Sequence, residues 1–403
     1  MDDGGKRKGW VCLFVIAGMA GLLTGCWSGA AIEDRNLDIG VAFDLVEPGG
    51  DEVKQKPIGS TPEKPIIQRT VQFALPQSGG SSGGSESSGA PKTYFNLEQT
   101  GESILEIIRE VNLRANSSAG FHLKSIIISS KLLEKFPMHD LLDFLLADND
   151  VRLSPQVFIS TGKAADALRT TTVPDQIPAI SLRDILKNRN KTARLVKPMT
   201  LAKIIGPLRN ESSFVLPNVL TANKQVKIAG AGIIKGGSQT YGGYLTEKEV
   251  EGLQWLRGEV KGGIVKCKPS PGNQPIQYEV LSANSKIKAM LRKGKLSFRV
   301  SITTSGRLSE SYRSVQDKGN PGLVHEIEKE TAKEIQALAQ GTVDRMHHLH
   351  VEVAGFGNAL RLQNTKKWRE VKPQWDEEFG NIPIRIEAKV RLVDQGASTM
   401  SAE

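Results

Sequence analysis

The stretch TGESILEIIREVNLR, Thr100–Arg114, followed by HLKSIII, His122–Ile128, decides the fold class. In the first part Ile104, Leu105, Ile107, Ile108 and Val111 share one face at helical spacing, and Ser103 and Glu106 stand at capping-box spacing, which predicts a helix. The second part ends in consecutive isoleucines with no polar alternation, as a buried-type strand does. Outward from this pair, Leu37–Asp44 and Arg69–Leu75 read as strands, His139 to Ala147 as a further helix, and Val157-Phe158-Ile159 as the start of the next strand. Strand, helix, strand, helix, strand makes this portion α/β or α+β in type.

From Thr172 to Pro217 the texture changes. Pro174, Pro178, Pro198, Pro207 and Pro217 punctuate short amphipathic helices, and a boundary is placed near here. Lys224–Ile234 then reads as a strand, and Tyr241-Gly242-Gly243-Tyr244 as a turn leading to another. Thr246–Arg257 predicts a helix with Thr246 as N-cap, Glu249 three residues on, and Val250, Leu253 and Leu256 facing inward. Tyr278–Leu281 and Leu296–Thr303 alternate as half-exposed strands. The longest helix should span about Leu323 to His348, with Val324, Ile327, Thr331, Ile335, Leu338, Thr342 and Met346 as its inward stripe. A last strand, Ile382–Val393, alternates Ile384, Ile386, Ala388, Val390 and Leu392 with charged neighbours. The expected fold is therefore α+β and multidomain, each mixed α/β domain holding a sheet packed by helices. The expected division is an N-terminal α/β domain over 26–172 with a flexible Gly/Ser loop at 77–90, a middle domain over 173–265, a C-terminal α/β domain over 266–398, and a tail, 399–403.

Residues 1–25 read as a lipoprotein signal peptide. Lys6, Arg7 and Lys8 form a positive start, and the apolar run Trp10–Leu23 is shorter than the about 20 residues a membrane-spanning helix takes. The run ends in Leu23-Thr24-Gly25-Cys26, a lipobox: small residues let a peptidase approach the backbone, and the thiol supplies a thioether. Cys26 is the expected lipidation site, carrying S-diacylglycerol and an N-palmitoyl group, with membrane lipid as its partner. Loss of the leader takes three cations and two carboxylates, and lowers the net charge from +9 to +8. Cys12 leaves with the leader, so Cys267 remains as the one free thiol and no intramolecular disulfide is expected. A mean hydropathy of -0.27 over 403 residues excludes a polytopic membrane protein.

Catalytic constellations fail one after another. Gly230-Ala231-Gly232 follows a strand but leads to a turn rather than a helix, so it lacks a dinucleotide-binding context. His325-Glu326-Ile327-Glu328-Lys329 begins like a zinc-protease motif, yet Lys329 stands where the second histidine belongs. His347, His348 and His350 have no further ligand spaced to complete a metal site. No nucleophile elbow or P-loop occurs, so no catalytic, cofactor-binding or metal residue is assigned and an enzyme is not expected. The basic run Lys187–Arg194 has no interleaved aromatics for base stacking, and nucleic acid is not an expected partner; a solvated loop or contact with anionic lipid are the readings left. Tyr244, Trp255, Phe356, Trp368 and Trp375 are candidate partner-interface anchors, with core packing as the alternative.

Three stretches together resemble the Ger(x)C family, the lipoprotein C subunits of spore nutrient germinant receptors. The first is the lipobox followed by Trp27 and then Asn36–Asp44. The second is Thr100-Gly101-Glu102-Ser103 opening a helix, with His122-Leu123-Lys124 and Leu141–Leu145. The third is Gly243–Glu249 with Leu253-Gln254-Trp255-Leu256, then Gly355-Phe356-Gly357 with Trp368 and Trp375. Ser28-Gly29-Ala30 and Glu352 depart from the family pattern. The resemblance implies three mixed α/β domains, no catalytic activity, and a role in germination in response to nutrients. It also implies a place on the outer leaflet of the spore inner membrane beside integral membrane A-type and B-type subunits. The competing class is a lipid-anchored extracytoplasmic solute-binding protein that delivers a ligand to a transporter; it would need a hinged two-lobe fold with a cleft.

Overall fold

A computed structural model describes residues 36–46, 65–75, 93–111, 113, 118–119, 122–147, 151–170, 177–223, 225–267, 276–310 and 321–394. The expected leader, Cys26 and the Gly/Ser tract at 77–90 lie outside these residues.

The first sheet is built from β1 (Asn36–Val46), β2 (Ile66–Ala74), β3 (Tyr94–Gly101), β4 (Ser118–Ala119), β5 (Ser125–Ser129), β6 (Gln156–Ser160), β7 (Phe214–Ala222), β8 (Gln225–Ile234) and β9 (Tyr241–Leu245). Its strand order is β3-β2-β1-β5-β6-β7-β8-β9, with β4 paired to the start of β1. The centre, β1-β5-β6-β7, is parallel, and antiparallel hairpins flank it on both sides. Helices α1 (Ile104–Val111), α2 (Ser130–Lys135), α3 (Met138–Ala147), α4 (Pro178–Ile185) and α5 (Leu201–Asn210) cover its two faces. Ile126 and Ile128 pack with Leu132, Leu141 and Leu145 on one face, while Ile127 packs with Ala164, Leu168, Ala179 and Leu182 on the other. The isoleucine run is unalternated because both of its faces are covered. Leu105, expected on the inner face of α1, is 46% exposed, whereas Ile104, Ile107 and Val111 are buried.

The second sheet has the order β10-β11-β12-β13, from β10 (Ile264–Cys267), β11 (Ile276–Arg292), β12 (Lys295–Glu310) and β13 (Ile384–Asp394). The β11–β12 hairpin closes through Lys293 and Gly294, both at positive φ (50° and 78°), the mirror-image turn that matches strand twist. One face of this sheet receives α6 (Glu247–Arg257), the long α7 (Pro321–His348), α8 (Phe356–Gln363), α9 (Thr365–Val371) and α10 (Trp375–Phe379). The capping box of α6 forms as expected: Thr246 Oγ1 accepts from Glu249 N–H (3.3 Å), and the Glu249 carboxylate accepts from Thr246 N–H (2.7 Å). Along α7 the buried residues are Ile327, Thr331, Ile335, Ala339, Thr342, Val343 and Met346, so Ala339 takes the place expected for Leu338. Gln363 terminates the free edge of β11 with its side-chain amide, accepting from Ala289 N–H and donating to the Ile287 carbonyl, each at 3.0 Å.

The boundary expected at 172/173 is not a break in the sheet. Strands β7, β8 and β9 extend the sheet begun by β1–β6, and Leu201, Ile204 and Phe214 share a core with Val41 and Ile126. The parallel junction is nevertheless narrow: β6 and β7 register only through Ile159–Asn218 and Ser160–Val219. Asn218 secures it by accepting from Thr161 N–H and donating to the Ala229 carbonyl, both at 3.1 Å. Tyr241–Tyr244, expected as a turn, is itself most of β9. Gly243 at φ 125° accompanies a register shift between Ile233 and Ile234 that lets the segment pair with β8.

Candidate functional site

The Gly355-Phe356-Gly357 motif opens α8. Gly355 stands at φ 98°, a left-handed conformation that favours glycine, and turns the chain so that the Glu352 carboxylate can accept from Gly355 N–H (2.6 Å) and Gly357 N–H (2.9 Å). Glu352 thus satisfies two of the orphan amides at the helix start. A Cβ on Gly357 would lie 2.9 Å from Trp368 Cη2 and 3.0 Å from Trp375 Nε1, so the absent side chain is what lets both indoles close over the helix. Trp368 and Trp375 meet edge-to-face at 5.2 Å, and Trp375 Nε1 donates to Glu352 (3.4 Å). Trp375 also continues inward through Phe298, Phe356 and Phe379, with ring separations of 6.4 Å or less.

This cluster is tied to the first sheet. Asp376, on α10, accepts from Glu352 N–H and from Ser213 Oγ, each at 3.3 Å, while Gly236 N–H donates to Ser213 Oγ (2.9 Å). Farther along, Gln254 Nε2 donates to the Leu195 carbonyl (2.6 Å), and the Arg194 guanidinium lies 3.4 Å from the Glu251 carboxylate. Between the two sheets lies a cleft of about 1370 Å³, bordered by Ser213 and Phe214 on one side and by Glu352, Gly357, Trp368 and Trp375 on the other.

Burial pushes the Asp376 carboxyl above the ordinary carboxylate range, more than its hydrogen bonds from Glu352 and Ser213 pull it down. A raised carboxyl binds its proton more tightly in the folded state. Its contribution to stability is therefore full below the unfolded pKa and is lost as pH rises through the folded value. Asp376→Asn has no such titration. Its melting temperature, measured against the parent in thermal scans at stepped pH, should gain on the parent as pH rises from about 4 to about 7. A gap that does not change with pH would contradict the placement.

The two halves match separate family profiles: "Spore germination protein N-terminal domain" over residues 29–220 and "Spore germination B3/ GerAC like, C-terminal" over residues 229–396. The Bacillus subtilis (strain 168) spore germination protein YndF is 35% identical over 96% of this chain and 95% of its own. The chain belongs to the Ger(x)C family of spore germination proteins. Within the family, spore germination protein B3 of the same organism is 26% identical, over 93% of this chain and 95% of its own. Spore germination protein A3 is 27% identical, over 96% and 97%. The crystal structure of the GerBC protein superposes with a TM-score of 0.59 at 21% identity, covering 89% of this chain and 99% of that one, which shows the shared fold.

The aromatic residues of this Ger(x)C chain separate by burial. Trp255 is 1% exposed and Phe356 0%, both in the core under the second sheet, so neither can meet a partner as an interface anchor. That corrects the expectation for these two: each fills volume that only an aromatic side chain fills. Tyr244 is half-buried and donates its hydroxyl to the Ala229 carbonyl (3.0 Å), over Gly230, whose missing Cβ would stand 2.3 Å from the Tyr244 hydroxyl oxygen. Trp368 and Trp375 are half-buried and border the cleft.

The basic run is a largely solvated segment: Lys187, Asn188, Asn190, Lys191 and Arg194 are exposed, and Arg189 is half-buried. Lys187 pairs with Asp184 (2.7 Å), Arg189 donates to the Glu259 carbonyl (3.3 Å), and Arg194 pairs with Glu251. Of these contacts, those of Arg189 and Arg194 reach α6 and the residues just after it. Gly230-Ala231-Gly232 lies inside β8, where Ala231 and Gly232 pair with Leu245 and Tyr244 of β9. His347 packs edge-on to Phe379 at 5.0 Å. Buried Cys267 accepts from Thr331 Oγ1 (3.3 Å), and burial pushes its thiol up, which disfavours the reactive thiolate. Sequence reasoning named the indoles, but not the roles of Glu352, which accepts from Trp375, and Asp376, which ties Glu352 to Ser213. Glu352 was legible only as a residue just before Gly-Phe-Gly.

Proposed function

We propose that this chain is the membrane-anchored, non-catalytic C subunit of a spore nutrient germinant receptor. It is lipidated at Cys26 on the outer leaflet of the spore inner membrane and assembled with integral A-type and B-type subunits. The observation that carries this reading is similarity over both halves to proteins named spore germination protein YndF, B3 and A3, combined with a lipobox at residues 23–26. Among the described residues no helix is long and apolar enough to cross a membrane, so an acyl anchor is the means by which this chain would join a membrane complex. The half-buried Trp368–Trp375 rim, backed by a rigid core, supplies a surface of the kind that partner proteins grip.

The cleft between the sheets favours one second reading, a tethered solute-binding protein. Such a protein closes about a hinge, whereas here the Gly236–Ser213–Asp376 chain and the Gln254–Leu195 bond pin the two sides together. Deletion of the gene separates the readings: loss of the nutrient response in spores supports the receptor subunit, and loss of uptake of a solute by growing cells supports the carrier.

A further inference from the structure

The second sheet is covered on one face only. Phe298, Val300 and Ile302 of β12 turn toward α6 and α7, and the alternate residues face away; among the described residues no helix packs on that side. Register places the outward side chains in four rows across three strands: Lys288–Arg299–Arg385, Lys286–Ser301–Glu387, Asn284–Thr303–Lys389 and Ser282–Ser305–Arg391. The grid extends roughly 20 Å along the strands and roughly 10 Å across them. It carries six cations and one carboxylate. Glu387 is shared by Arg385 (2.9 Å) and Arg299 (3.8 Å), while Lys286, Lys288, Lys389 and Arg391 make no ion pair among the described residues.

We infer that this open face binds the anionic phospholipid surface of a bilayer, and so lays the C-terminal half of the chain against the membrane. Charge complementarity carries the assignment: an array of unneutralised cations and hydroxyl donors suits phosphate headgroups. The four rows contain no aromatic or aliphatic side chain, and a protein partner would need such an anchor. The inference deepens the lipid-anchored reading above, yet the face is a property of the fold and does not require Cys26.

Vesicle co-sedimentation tests it, using the chain from residue 26 onward with Cys26→Ser; every described residue lies downstream of that point. The comparison variant carries Lys286→Gln, Lys288→Gln, Lys389→Gln and Arg391→Gln. A second variant carries only Lys389→Gln and Arg391→Gln, and matching melting curves establish that each is folded. Binding is expected to vesicles of phosphatidylcholine with about one-third phosphatidylglycerol and not to phosphatidylcholine alone, to weaken at least about tenfold in the fourfold variant and less in the double one, and to vanish near 1 M salt. Equal sedimentation of parent and fourfold variant would overturn the inference. So would binding to soluble polyglutamate without binding to the anionic vesicles, which would assign the face to an acidic polypeptide. Because acylation plays no part in the assay, a failure here is distinct from a failure of the Cys26 anchor.

Discussion

Gly252→Val is expected to destabilise the chain by about 3 kcal/mol or more and to remove most of the soluble protein. At this point α6 crosses α7 with no room for a side chain. A Cβ on residue 252 would lie 2.1 Å from the Leu338 carbonyl oxygen and 2.2 Å from Thr342 Oγ1. The first of these is backbone and cannot rotate away. Thr342 Oγ1 meanwhile donates to the Glu249 carbonyl (2.8 Å), so the crossing is also held by a hydrogen bond between the helices. Only separation of α6 from α7 relieves the overlap, and that lifts Trp255, Leu253 and Leu256 out of the core they share with Ile335, Ala339 and Val343. Gly341→Ala is the control on the same helix pair. Its Cβ meets nothing within 4 Å, so it should be neutral or stabilising by up to about 1 kcal/mol through helix propensity. Denaturant unfolding of both variants checks the pair, and equal midpoints would contradict the crossing geometry.

Cys26→Ala is expected to move nearly all of the protein from the membrane fraction to the soluble fraction. Buried acyl chain contributes about 0.8 kcal/mol per CH₂, so two or more chains hold a protein durably, and a basic face alone binds only reversibly. Fractionation belongs in cells that lack the proposed membrane subunits, since protein contacts could otherwise retain the variant. Unchanged membrane association there would contradict lipidation at Cys26.

Local chemistry was legible where it acts locally. The Thr246–Glu249 box, the apolar stripe of α7 and the unalternated isoleucines of β5 each state their structure within a few residues, and the structure has each in place. What the sequence concealed depends on distant partners. Thr100 and Gly101, read as the start of a helix, are instead the last residues of β3, paired with Gln68 and Ile67, and the helix begins at Ile104. The Tyr241–Tyr244 segment looks like a turn because its glycines do, but β8 recruits it as a strand.

The candidate site divides the same way. Gly355-Phe356-Gly357 and the two indoles were visible as residues, whereas their union needs Glu352 and Asp376 to reach across turns, and Ser213 to reach from the other sheet. Nor does an aromatic residue's type say whether it is buried, and this is why Trp255 and Phe356 changed role while Trp368 and Trp375 kept theirs as candidates. The cationic face was hidden most completely. Its six cations come from β11, β12 and β13, and the outer strands are about a hundred residues apart in the chain, so no window of sequence shows them together.

The central claim is that this chain is a required subunit of a nutrient receptor, and the germination of spores that lack it tests that claim most directly. In a background free of any paralogous receptor, spores deleted for the gene should fail to lose refractility when nutrients are added, should respond normally to a trigger that bypasses receptors, and should recover when the gene is restored. Deleted spores that respond to every nutrient as the parent does would contradict it.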